Sequence, residues 1–104
     1  MDQRSHQRLQ FQSEFAVQNG HRAVGRGLDL SSSGLGFRIQ EQLEVGSRVK
    51  LVFQNDTFLV EGEVRYCTPD SPDSGYRSGV RFTLDGRHIM PVLLMLDQYR
   101  DQNH

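Results

Sequence analysis

Five residues in the N-terminal part of the chain have the types and spacing to grip an anion that also carries a base. They are Arg4 and Arg8, then Asp29, Ser31 and Gly34. A guanidinium presents a planar fork of donors that fits phosphate oxygens and the acceptor edge of guanine, and its face can stack on a base. A carboxylate can accept two hydrogen bonds from the N1–H and exocyclic amine of a guanine. Each bond to a charged group contributes about 1.5–3 kcal/mol. A hydroxyl beside it can donate or accept. A glycine allows a backbone geometry, or a close approach, that a Cβ would obstruct.

Each piece also has an ordinary explanation. Asp, Ser and Gly are common turn residues. Eleven of the twelve basic residues are Arg, with Lys50 the exception, and three pairs share the spacing R-x-x-x-R: Arg4/Arg8, Arg22/Arg26 and Arg77/Arg81. The spacing alone therefore says little, and the argument rests on the elements that carry the residues.

Residues 1–10 are polar and without core-facing periodicity, which predicts a mobile arm carrying Arg4 and Arg8. Phe11, Ser13, Phe15 and Val17 then alternate with polar residues as in a half-buried strand, and Asn19-Gly20 is a tight-turn signal. A second strand is expected over about Arg22–Leu30, with Val24, Leu28 and Leu30 inward. That parity turns Asp29 and Ser31 outward together at the strand's end. Leu35, Phe37 and Ile39 mark a third strand after Gly34, and residues 40–46 a polar connection. Val49, Leu51 and Phe53 mark a fourth strand, Asn55-Asp56 a hairpin turn, and Phe58, Val60, Val64 and Tyr66 a fifth. Thr68 to Gly75 (TPDSPDSG) reads as a loop, and Val80 and Phe82 as the inward face of a sixth strand. Short strands at this spacing predict an antiparallel barrel or sandwich. Ile89, Val92, Leu93, Leu96 and Tyr99 recur at helical spacing, so a helix over about 89–101 should pack against it.

Composition narrows the partners. The net charge of −1 gives no basic field for a DNA or RNA tract. No apolar run reaches the length of a membrane span, and the N-terminus lacks a secretory signal. The single cysteine, Cys67, allows no disulfide within the chain and reads as a half-buried strand residue. These features predict a cytoplasmic protein. His6, His21, His88 and His104 lie too far apart for metal-ligand spacing. No nucleophile context suggests an enzyme. Oligomeric state is left open.

The order of the pieces is their most specific feature. Arg4-x-x-x-Arg8 precedes the first strand, Asp29-x-Ser31-x-x-Gly34 ends the second, and Gly79-Val80-Arg81-Phe82 precedes the helix. This pattern resembles the PilZ domain family over nearly the whole chain. The resemblance implies an all-β fold, a six-stranded antiparallel barrel with a C-terminal helix over residues 11–104. It also implies cyclic di-GMP as ligand and no catalytic cofactor. In the family the first motif's arginines clamp phosphates and guanine, which here assigns Arg4 and Arg8. The acid and hydroxyl that contact guanine fall on Asp29 and Ser31, and the motif glycine on Gly34. Arg38, Gly79 and Arg81 are possible additional contacts. Gln3 precedes Arg4 where an additional arginine would favour a bound pair of ligand molecules. The expectation is a receptor that reports ligand to a partner protein as its arm folds onto the barrel. The alternative is a PilZ-type interaction adaptor that binds no nucleotide.

Overall fold

Turns at glycine and asparagine cut the chain into short strands. A computed structural model describes residues 8–54, 56–71, 75–84 and 87–102. Among them are seven strands and one helix: β1 (Leu9–Gln10), β2 (Glu14–Gln18), β3 (Arg22–Leu30), β4 (Gly34–Ile39), β5 (Arg48–Phe53), β6 (Phe58–Ser71), β7 (Gly75–Phe82) and α1 (Ile89–Gln102). Gly20, Gly46 and Gly75 all have positive φ, the conformation that turns at these points require and that glycine adopts without a Cβ penalty.

All pairings are antiparallel, in the order β3-β2-β5-β6-β7-β4, and β4 pairs back onto β3. Six strands thus close into a barrel, which leaves no long edge with unpaired backbone groups. β1 adds two residues to the end of β3 beyond β2, through Leu9↔Leu30 and Gln10↔Asp29. It takes in Leu9 and Gln10, two residues that periodicity alone groups with the arm. Pairing this short has no visible period.

β1 and β2 behave as one strand broken at residues 11–13. The break stays tied to β3 by bonds from Phe11 N to Leu28 O (3.1 Å) and from Gly27 N to Ser13 O (3.0 Å). Inside the barrel the Phe15 ring lies 2.9 Å from where a Gly25 Cβ would stand, and the Phe11 carbonyl oxygen and ring lie 2.5 and 2.6 Å from that of Gly27. The glycines make room for aromatic rings in the core. Phe15 meets Phe37 edge-on and Phe53 at a tilt.

The core joins Phe11, Phe15, Phe37, Leu30, Leu51 and Val64 with Leu93 from the helix, all buried. Ile89 and Leu96 of the helical stripe pack around it, and so do Met90 and Leu94 from beyond the stripe. The side chain of Tyr99 lies outside the described residues, as do Asn55 and residues 72–74. α1 is also tied to the strand break, because Asp97 Oδ1 accepts hydrogen bonds from Gln12 N (3.0 Å) and Ser13 Oγ (2.8 Å).

Three readings change. Val24 and Leu28, both expected inward, do not join the core: Val24 is 64 % exposed because Gly25 and Gly27 carry the inward parity of β3, and Leu28 is the extra residue where β3 slips against β4. Residues 68–71, expected in a loop, extend β6, with Thr68↔Arg77 and Pro69↔Tyr76 in register. Pro69 and Asp70 suit a turn, but the long partner strand outweighs local propensity. Ser31, expected outward, is fully buried.

Leu93 is the fully buried anchor of the helix. Leu93→Ala should lower the unfolding free energy by about 2–5 kcal/mol in a urea titration. A loss under 1 kcal/mol would mean that the helix is peripheral to the core.

Candidate functional site

The site begins with a bulge. Along β3 and β4, Gly27 pairs Phe37 but Asp29 pairs Gly36, so Leu28 is an extra residue. A bulge of this kind reverses the alternation of a strand. Before it Gly25 and Gly27 face inward; after it Leu30 faces inward and Asp29 outward. β6 does the same. Val64 pairs Val80 and Tyr66 pairs Gly79, so Arg65 is extra, and Tyr66 turns out of the barrel to 41 % exposure.

These registers line up on the outer face. Asp29↔Gly36, Gly36↔Gly79 and Gly79↔Tyr66 form one row across β3, β4, β7 and β6. The middle of the row has no side chains, and the residues at its ends lean over it. Asp29 Oδ1 lies 2.8 Å from where a Gly36 Cβ would stand, and Tyr66 Cε1 lies 2.4 Å from that of Gly79. An acceptor and an aromatic ring therefore sit over neighbouring strands, about 5 Å apart in a sheet.

Arg8 joins the row from the chain's N-terminal side. Its Nε (3.1 Å) and Nη2 (2.6 Å) both donate to Asp29 Oδ1. The two side chains are 50 % and 36 % exposed. An ion pair so open to solvent is worth at most about 1 kcal/mol, so Arg8 can turn to another anion at little cost. A cleft of about 350 Å³ opens beside it, lined by Arg8, Ser33, Gly34, Arg65, Tyr66, Gly79 and Arg81, with Leu35 and Val80. Three arginines around an aromatic ring and bare backbone can hold phosphate oxygens and a planar base.

The motif residues divide into two roles. Arg8 and Asp29 present functional groups. Ser31 and Gly34 build the turn beneath them. Ser31 Oγ is 3.0 Å from Ser33 Oγ and accepts from Ser33 N at 3.2 Å, while Ser31 N donates to Gly34 O at 2.9 Å. A Cβ on Gly34 would stand 2.1 Å from Val80 O, so only glycine lets β4 approach β7 here. The close approach that this glycine permits is to backbone.

Of the additional candidates, Gly79 and Arg81 line the cleft. Arg38 faces outward one row away, between Arg26 and Arg77 in register, and its Nε binds Asp70 at 2.8 Å. It is not among the residues lining the cleft. Arg4 and His6 lie outside the described residues. Sequence reading missed Gly36, Arg65 and Tyr66. Their signal is tertiary, because only strand register shows that Gly36 and Gly79 are neighbours. Among the described residues no group of three or more His, Cys, Asp or Glu could hold a metal ion. No helix there is long and apolar enough to cross a membrane.

A family profile described as PilZ domain matches residues 2–91, and the chain belongs to that family. PilZ domains are non-catalytic receptor and adaptor modules. Two solved structures share the fold. The Bacillus subtilis inhibitor of motility (MotI/DgrA) aligns with a TM-score of 0.71 at 14 % identity, over 99 % of this chain and 53 % of that one. This chain thus spans about half the length of MotI/DgrA. The PilZ domain with c-di-GMP of YcgR from Escherichia coli aligns with a TM-score of 0.65 at 15 % identity, over 98 % of this chain and 97 % of that one. No curated protein matches the sequence.

Because Ser31 holds the turn from inside, Ser31→Ala should cost about 1 kcal/mol of stability through its lost hydrogen bonds. Thermal and urea unfolding would measure it. Wild-type stability in this variant would mean that the Ser31 hydroxyl does not hold the turn.

Proposed function

We propose that this chain is a receptor for cyclic di-GMP, bound over the outer face of the barrel by Arg4, Arg8, Asp29 and Arg81. The observation that carries this reading is the contact between Arg8 and Asp29. The two motifs are twenty-one residues apart in sequence and meet at the rim of one cleft. The ligand has two phosphodiester charges and two guanines. The carboxylate of Asp29 suits the N1–H and amine edge of a guanine, and Arg8, already on that carboxylate, suits the acceptor edge or a phosphate. That the related YcgR domain is described with c-di-GMP supports the same ligand here.

In this reading the relay begins at the arm. Leu9 and Gln10 already pair with β3, so ligand fixes the residues from Arg4 to Arg8 beside them, at a cost of about 1–2 kcal/mol per fixed residue, offset by charge-assisted bonds. The segment that follows, Gln12 and Ser13, is bound to Asp97 of α1. A change at the arm thus has a direct path to the helix and to the surface shown to a protein partner. The single cysteine, which allows no disulfide within the chain, supports action in a reducing compartment such as the cytoplasm.

Isothermal calorimetry with cyclic di-GMP is the test. Arg8→Ala and Asp29→Ala should each weaken binding by about 10- to 150-fold, the value of one hydrogen bond to a charged group. Unchanged affinity in both, or no binding by the wild type, would refute the reading. Ligand recovered intact after long incubation would exclude hydrolysis. Hydrogen exchange should slow in residues 4–8 on saturation, and exchange that stays unchanged there would remove the arm from the mechanism.

A further inference from the structure

Tyr66 is an aromatic ring where the sheet should not need one. It stands on the outer face of the barrel, partly exposed, beside the cleft. Core packing does not account for it, because the inward parity of β6 passes from Val64 to Cys67 across the bulge at Arg65. An in-register strand would have buried this residue. The fold instead spends an irregular backbone step to turn it out. It then leaves glycine at the paired position, and the outer half of the ring occupies the space of a Gly79 side chain. The ring is held over the sheet in the same row as Asp29, and Arg81 lies two residues along β7 on the same face.

We propose that Tyr66, seated on Gly79, is the stacking platform for a guanine of the bound nucleotide. The inference rests on the cyclic di-GMP reading above and deepens it. Asp29 reads the base edge, whereas Tyr66 holds the base face. A π-surface accepts either purine, so the ring supplies affinity and the carboxylate supplies the choice of guanine. Gly79 acts through Tyr66 as a positioning residue. An added Cβ there must push the ring aside, since its nearest atom is at 2.4 Å and belongs to a side chain able to move.

The test uses the full chain and cyclic di-GMP. Tyr66→Ala should weaken binding by about 5- to 150-fold, the range for loss of one base–aromatic stack. Tyr66→Phe should bind within about two-fold of wild type, because the face and not the hydroxyl is used. The chain contains no tryptophan, so Tyr66→Trp introduces a single reporter whose fluorescence should be quenched as ligand stacks on it. Gly79→Ala should weaken binding in the wild type but add little in the Tyr66→Ala background, since both changes remove one contact. Each variant's far-ultraviolet circular dichroism should match the wild type.

The outcomes separate the two claims. If Arg8→Ala and Asp29→Ala weaken binding as above while Tyr66→Ala binds normally, or the tryptophan variant binds without a fluorescence change, the platform is overturned and the receptor reading stands. If wild-type protein does not bind cyclic di-GMP, both fall. Loss of affinity in Tyr66→Phe equal to that in Tyr66→Ala would assign the effect to the hydroxyl and overturn stacking.

Discussion

The outer face of this barrel depends on two backbone irregularities. Strand alternation is strict, so a residue's parity fixes whether it is core or surface. By parity with Gly27, Asp29 would point into the barrel, and by parity with Val64, so would Tyr66. A buried unpaired carboxylate would cost several kcal/mol. One extra residue in each strand, Leu28 and Arg65, moves both side chains to the surface while Leu30 and Cys67 still turn toward the core. The site therefore rests on the sheet's departures from regular pairing.

What lies between the bulges is defined by what is missing. Gly36 and Gly79 pair directly, and any Cβ on either would strike Asp29 or Tyr66. Gly34 is required for a different reason, since Val80 O occupies the space in front of it. The same device works inside the barrel, where Phe11 and Phe15 lie over Gly27 and Gly25. Glycine in a strand weakens it by itself. Here the loss is offset by a ring or a carboxylate seated over the bare backbone and by closure of the barrel on both sides.

The N-terminal segment and the C-terminal helix are mechanically joined. Arg8 lies on Asp29, residues 9–10 pair with β3, and residues 12–13 bind Asp97. The path from the site to the helix is thus about five residues of chain with a hydrogen-bonded contact at each end. Solvent exposure at the Arg8 end makes that contact weak. The Ser13 end is buried and firmer. A segment held firmly at one end and loosely at the other is suited to moving at the loose end.

The sequence by itself determined most of the barrel strands and the helix, because hydrophobic period is a local property, and the order of its motifs put Arg8 and Asp29 forward together as candidates. Leu35, Phe37 and Ile39 announced β4, and Leu93 its place in the helical stripe. Tertiary structure alone decided which way residues face on either side of a bulge, so Val24, before it, stands in solvent. It also buried Ser31 under the turn and paired Thr68 to Ser71 into β6. It also decided that Gly36 and Gly79 are neighbours and that Tyr66 borders the cleft. Periodicity counts residues along one strand, whereas a bulge is specified by the partner strand, and register between distant strands is set only when the barrel closes.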